Sequence, residues 1–407
     1  MIEPVNAGDT LTIGSGQAIA TTGANRLGLI SADLVSNGLV DADGGQIRLN
    51  NTVTTNNNLI RARNGGTLRL EANSTIENAA GTITIEAGST LAPRGGSVIR
   101  GGVIDGGGDI TINGGSVGLD GIGMTLDDLR IRIGLGNSAI LLLSGQITNN
   151  SSIQLTDTNT NSLAKARIRL DGPVNIDGVG DILFTTRLSN FIEGLSGTNA
   201  TLTLGPGQTV RGSAGTNGSI SVETLNHGTL QSDGRINFSG SAFTNASDGT
   251  VAGSGEFNFS NRDFTNHGLF SPGGSPGRLT LTGNTIDHTP TARFLIEIAG
   301  ETIESEYDTI TANGTMNLDG DLTVALLGGF VPDRADAFTI LTASTINGFF
   351  ANAPPDAGGV GALNMIDARF DVIYSAGSVV LANYVPEPDF GCLLAATLLW
   401  FVWRRPR

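Results

Sequence analysis

Near-copies of one short segment, spaced about 20 residues apart, constrain this 407-residue chain more than any other feature. GGQIRL at Gly44 to Leu49 returns as GGTLRL at Gly65 to Leu70, an offset of 21. Further on, NHGTLQSDGRINF from Asn226, NASDGTVAGSGEFNF from Asn245 and NHGLFSPGGSPGRLTL from Asn266 succeed one another at intervals of 19 and 21. Each unit reads turn, strand, turn, strand. So short a unit cannot bury an apolar face alone, but units stacked on one another share a continuous core. Alternation sends Ile47, Leu49, Leu68 and Leu70 inward and Arg48 and Arg69 outward, so the two arginines should lie above each other on one outer face.

The expectation is an all-β chain: a right-handed parallel β-helix, a C-terminal β cap domain and a short C-terminal hydrophobic helix. Three segments are assigned: a repetitive β-helix over 1–288, a β cap or sandwich-like domain over 289–384 and a tail over 385–407. The first amounts to roughly 14 coils of about 20 residues, a rod of about 65–70 Å. From about Thr289 the strands lengthen and carry larger apolar residues (Phe294 to Ile298, Leu318 to Leu327, Phe370 to Tyr374). That suits a cap, since a last coil otherwise leaves open edges. A β-sandwich, or a string of them, is the rival, because it too needs short strands and frequent turns.

Composition supports strand-and-turn chemistry. Gly 59, only 5% aromatic and 15% charged residues are unlike an ordinary globular chain, while 39% hydrophobic residues are too many for disorder. A formal charge of -15 argues against nucleic acid as a partner, since phosphate binding needs a basic surface. Cys392, the single cysteine, leaves no intrachain disulfide and no thiolate metal site.

The two ends disagree about targeting. Met1 is followed by Ile-Glu-Pro-Val-Asn-Ala-Gly-Asp, without the basic start and apolar run of a secretory signal. At the other end Phe390 to Trp403 is 14 residues long with only Thr397 clearly polar, and Arg404, Arg405, Pro406 and Arg407 follow. As a helix that run would span about 21 Å, short of a hydrocarbon core of roughly 30 Å. The arginines predict a cytoplasmic C-terminus and a body outside. The order Val385-Pro386-Glu387-Pro388, apolar run, arginine cluster resembles the PEP-CTERM sorting tail of Gram-negative bacteria. The resemblance implies a sorting motif at Val385, Pro386, Glu387 and Pro388. It implies a membrane segment carrying Phe390, Leu393, Leu394, Leu398, Leu399, Trp400, Phe401, Val402 and Trp403, and a basic stop at Arg404, Arg405 and Arg407. It further implies an exosortase-type membrane transpeptidase as partner, passage through the inner membrane to the cell envelope, surface or exterior, and an association with extracellular polysaccharide or biofilm. Proteins with such tails carry an amino-terminal signal, and repeat texture already at Leu11 to Gln17 is what a sequence starting downstream of its natural beginning would show.

SPGGSPGRLTLTGN (Ser271 to Asn284), with Tyr307-Asp308 and Leu318-Asp319-Gly320-Asp321-Leu322, resembles the C-terminal region of bacterial exported β-helix proteins, a texture shared by autotransporter passengers. That resemblance implies a fold and no activity. Asp127-Asp128 before Arg130-Ile131-Arg132 resembles only superficially the paired carboxylates of polygalacturonase-type hydrolases. Their histidine motif would have to be Asn226-His227-Gly228, about a hundred residues later, and Asn-His-Gly recurs at Asn266 to Gly268 as a repeat corner should. The Asp pair therefore reads as a turn and solvated strand edge. Gly106 to Asp109 is not a tandem calcium repeat, and His227, His267 and His288 are too scattered for a zinc set. No catalytic residue, metal ligand or cofactor is expected. The leading reading is an exported structural or adhesive protein; the alternative is a carbohydrate-active enzyme, a polysaccharide lyase or hydrolase, on the same rod.

Overall fold

The computed structural model describes every residue except 7, 135–137, 157–164, 188–189, 275, 367 and 387–407. Among the described residues there is no helix, and the chain winds as a parallel β-solenoid. Each coil contributes three short strands. In the first these are Thr10–Ile13, Ala18–Thr22 and Leu27–Ile30; in the second, Asp33–Ser36, Leu39–Asp43 and Gln46–Leu49. Equivalent strands pair in parallel, Leu11 with Leu34, Ile19 with Val40 and Gly28 with Ile47, so three sheets run the length of the stack. We number these faces first, second and third in chain order. The expected inward set is fully buried, Ile47, Leu49, Leu68 and Leu70 among it. Burying each such side chain contributes roughly 1.5–3 kcal/mol. Arg48 and Arg69 are paired outside, as their alternation requires, and both reach Glu71, at 3.8 and 2.8 Å.

Coils run longer than 20 residues wherever corners expand: Thr75 pairs with Val98 and Asn190 with Gly218. The chain up to residue 288 therefore makes about a dozen coils rather than roughly 14. In the middle of the body, Gly115–Ile133 and Ala139–Leu155 continue around the corners without a break, each forming nearly a whole coil; their register shifts at Gly121/Met124 and Asp127/Arg130 mark the bends. Parallel stacking runs on past residue 288, to Thr345–Gly348 on Thr315–Leu318. Only then does the pairing turn antiparallel. Val360–Asn364 pairs with Ala368–Tyr374, that strand with Ser378–Pro386, and the last returns to Ala337–Thr342. Parallel pairing through all three faces excludes a sandwich for the body.

The core changes character along the axis. Up to Ile236 it is almost entirely Ile, Leu and Val; beyond, a column of phenylalanines takes over. Phe238 and Phe259 stack with centroids 5.3 Å apart, Phe259 and Phe264 at 4.7 Å, Phe264 and Phe270 at 5.7 Å. Phe238 and Phe259 belong to successive coils, whose repeat of about 4.8 Å nearly matches offset-stacked rings, whereas Phe259, Phe264 and Phe270 meet across the interior of a single coil.

One corner of the later coils carries a buried asparagine ladder. Asn226 Nδ2 donates to Asn245 Oδ1 at 2.8 Å, and Asn245 Nδ2 to Asn266 Oδ1 at 2.7 Å. Asn266 Nδ2 reaches His288 Nδ1 at 3.1 Å, so the histidine ends the column. Each Asn also serves its own turn: Asn226 Oδ1 accepts from Gly228 N–H and its amide donates to the Gly228 carbonyl. Asn-His-Gly is thus a corner motif, with Asn inside, His outside and Gly where a Cβ would strike the Gln208 carbonyl of the previous coil.

Candidate functional site

Of the sorting-motif residues, Val385 and Pro386 fall within the described chain, at the end of Ser378–Pro386. Val385 pairs with Arg369 and Pro386 with Ala368; Val385 is 39% exposed. A strand end tolerates proline, whose missing N–H would break a longer ladder. Glu387, Pro388, the membrane segment from Phe390 to Trp403 and Arg404, Arg405 and Arg407 lie outside the described residues. No helix among the described residues is long and apolar enough to cross a membrane. Beside the end of that strand an apolar groove of about 610 Å³ opens between Leu322, Val324, Leu363, Met365 and Tyr384, with Ile366 at its rim.

The two stretches that resemble exported β-helix proteins come together. Asp308, fully buried, receives Gly277 N–H on Oδ1 at 2.7 Å and Glu297 N–H on Oδ2 at 2.9 Å. One carboxylate therefore clasps the turn after Ser271-Pro272-Gly273 to the strand Arg293–Ile298. At Gly273 a Cβ would press on Gly277 N and on Asp308 itself, which explains the glycine. Burial pushes the Asp308 carboxyl up to about 6, against the two backbone donors that favour its charge.

Several arginines on the outer faces are consumed in short ion-pair ladders. Asp41, 2% exposed, takes Arg61 at 2.7 Å and Arg63 at 3.1 Å. Asp109 takes Arg130 at both oxygens and Arg132 at 2.7 Å; the Arg130 hydrogen bond, above all, holds its carboxyl below the usual range. Glu193 accepts from Arg167 and Arg169, at 2.6 and 2.7 Å, and although burial pushes its carboxyl up these bonds hold it low. Arg167 and Lys165 also flank the Phe191 ring, at 5.3 and 5.1 Å from its centroid.

The Asp127-Asp128 pair is split by the corner it occupies. Asp127 belongs to the second face, paired with Asn150, while Asp128 adopts φ 51° at the bend. The arginines that follow are tied to Asp109. His227 meets Asp248 at 2.7 Å outside the corner, His267 meets Thr289 at 3.0 Å, and His288 is internal. Among the described residues no three His, Cys, Asp or Glu side chains are grouped to hold a metal. Sequence reasoning missed a shallow polar groove of about 530 Å³ that takes in Asp128, Asp181 and Arg211. Asp128 lies two coils before Asp181 and Arg211 one coil after it, and only the coil register, not any local motif, aligns them.

No protein-family model matches this chain, and no curated protein matches it significantly.

Proposed function

We propose that this protein is an exported structural or adhesive component of the cell surface or extracellular matrix, displayed as a rigid rod and sorted through its C-terminal tail. The observation that carries the reading is the position of Val385 and Pro386, the first two residues of the motif, at the exposed end of the strand Ser378–Pro386, where a processing enzyme can reach them. The resemblance of Val385 to Arg407 to a PEP-CTERM tail supplies the sorting step, with an exosortase-type transpeptidase as partner and the apolar Phe390 to Trp403 run as a helix in the inner membrane before processing. The antiparallel strands from Val360 to Pro386 act as the cap, giving the last coils partners that a copy of themselves would otherwise supply. Ladders of paired charges and a pI near 4.5 suit a soluble rod wall.

A carbohydrate-active enzyme on the same scaffold is the second reading, favoured by the groove that holds two carboxylates, Asp128 and Asp181. The deciding experiment is mass spectrometry of the native protein from fractionated inner membrane, outer envelope and medium. Recovery of the body in envelope or medium, ending near Pro386 to Pro388, is the expected result. An intact chain ending at Arg407 in the inner membrane would overturn the sorting step, and recovery from the cytoplasm would overturn export.

A further inference from the structure

We propose that the apolar groove at the capped end holds the first residues of this chain's own apolar tail, Phe390 to Leu394, as an extended segment. Each face of the stack ends on a last strand, and the three are finished differently. On the first face Ala337–Thr342 is covered by Ser378–Pro386, and on the second the Ile346 N–H of Thr345–Gly348 is taken by the Ala376 carbonyl at 2.8 Å. On the third, Asp321–Leu326 pairs only with Arg293–Ile298 among the described residues. Asp321 and Leu327 donate to Ala292 and Ile298 on that side, so Leu322, Val324 and Leu326 turn their backbone groups the other way. Asn352 stands in for a strand at Leu322, accepting from its N–H at 3.0 Å and donating to its carbonyl at 2.8 Å. At Val324 and Leu326 no described residue does the same, and both line the groove.

A bare strand edge beside an apolar trough is what an extended peptide adds to: the edge takes its main chain and the trough takes alternate side chains. The facing wall is Leu363, Met365 and Tyr384, with Ile366, 93% exposed, at the rim. A volume of about 610 Å³ lies within the range of roughly 300–1,000 Å³ of pockets that enclose a ligand.

The chain's own continuation is the occupant nearest to hand. Ala368 and Tyr384 line the groove and Pro386 pairs with Ala368, so the strand Ser378–Pro386 ends at the groove's mouth. Phe390 follows four residues later, a reach of about 13–14 Å when extended. In an extended Phe390-Gly391-Cys392-Leu393-Leu394 the side chains of Phe390, Cys392 and Leu394 fall on one side, the side for the groove. So short a tether gives an effective concentration of about millimolar, which a separate partner has to match.

The bilayer needs the same five residues. Without them Ala395 to Trp403 as a helix would span about 14 Å, less than half of a hydrocarbon core of roughly 30 Å. Docking and insertion therefore exclude each other: a docked tail holds the sorting motif against the cap, and an inserted one presents it to the processing enzyme. That competition rests on the membrane reading of the tail proposed above, whereas docking itself does not.

Cys392 is the only thiol of the chain and lies in the docked stretch, so its rate of reaction with N-ethylmaleimide reports docking directly. Purified full-length chain is measured in lipid-free buffer over a dilution series, beside the double variants Met365→Ser, Ile366→Ser in the groove and Phe390→Ser, Leu394→Ser in the tail. Cys392 of the parent should react at least about tenfold more slowly than in either variant, the protection that about 1.4 kcal/mol of docking gives, and dilution should leave that rate unchanged. The tail variant leaves the body untouched, so the comparison holds even where the groove variant misfolds. Equal rates in the parent and the tail variant, or in the parent and a folded groove variant, would overturn the proposal. Protection lost on dilution would overturn it too, since docking on a second copy or association between tails behaves that way. Flotation with vesicles of phosphatidylethanolamine and phosphatidylglycerol separates the two readings. A chain that floats with Cys392 unprotected in buffer keeps the membrane reading and refutes the groove; a chain protected in buffer whose parent and groove variant never float keeps the groove and refutes the membrane reading.

Discussion

Replacing His288 by Asn should make the later coils resistant to acid. His288 is buried, its ring wedged between Phe270 and Phe294 at 5.2 and 4.7 Å, and burial pushes its pKa down to about 3. Because Asn266 Nδ2 donates to Nδ1, the single ring proton must sit on Nε2, and that nitrogen has no partner. A second proton on Nδ1 would face the Asn266 amide donor. Between pH 6.5 and 3 the unfolded histidine therefore holds a proton that the folded one refuses, so stability rises with pH through this window and is lost as pH falls from 6.5. Between the ordinary 6.5 and about 3 the loss amounts to roughly 4–5 kcal/mol at the acid end. His288→Asn continues the Asn226–Asn245–Asn266 ladder with a group that does not titrate. At neutral pH it should cost about 1–3 kcal/mol, because the smaller side chain leaves space between two phenylalanines. Amide hydrogen exchange over Phe264–Asn266, Leu269–Pro272 and Thr285–His288, converted to opening free energies at pH 7 and pH 4, measures both effects. If parent and variant lost protection in parallel on acidification, the buried-histidine reasoning would be wrong.

Asp308 should act in the opposite direction: its folded pKa of about 6 lies above the unfolded value of 3.8, so the fold keeps a proton the unfolded chain has lost, and local stability falls by roughly 2–3 kcal/mol as pH rises from 4 to 6. Limited proteolysis around Gly277 at pH 4.5 and 7.5 checks this, and Asp308→Asn should abolish the slope while weakening the turn at both pH values, because its NH2 would face one of two backbone donors. Asn245→Asp should destabilise its corner by more than Asn245→Ala at pH 7, since a buried carboxylate would oppose the Asn266 carbonyl oxygen; hydrogen exchange of Thr250–Gly253 reports the difference, and the order should narrow in acid. Asp41→Ala, which strands two arginines on a nearly buried site, should cost about 1–3 kcal/mol in thermal unfolding, whereas Glu77→Ala, beside an exposed Arg100, should cost less than about 1 kcal/mol. Equal effects would mean that burial does not govern these pairs.

What the sequence discloses depends on how its corners are punctuated. Where Gly or Asn marks each bend, as at Gly44 to Leu70 and Asn226 to Gly268, the period and the inward residues are legible, down to the stacking of Arg48 on Arg69. Within Gly115–Ile133, Ala139–Leu155 and Ala166–Asp177 the strands pass through the bends unbroken, with Gly123, Gly145 and Gly172 at positive φ inside them, so the turn residues do not mark where one face ends and the next begins. Near Thr289, where longer strands are read from the sequence, the parallel pairing continues across a long coil, Arg278 with Thr309 at 31 residues, and the larger core side chains begin earlier, at Phe238. Tyr307-Asp308 stands out in the sequence through its resemblance to exported β-helix proteins, yet its purpose depends on a partner at Gly277 that only the coil register brings within hydrogen-bond reach. The groove of Asp181 and Arg211 is illegible for the same reason.

Parallel stacking has a mechanical consequence. Backbone hydrogen bonds between coils lie along the long axis, so a pull on the two ends opens them one after another, like a zip, instead of shearing many at once. Each coil spans about 4.8 Å of the folded stack, whereas its chain of about 22 residues extends to roughly 75 Å. Every coil that gives way thus lengthens the molecule by about 70 Å, and because each coil leans only on its neighbours, the rest can stay folded. Under tension the rod would behave as an extensible strap that yields in instalments and recoils when the load is removed.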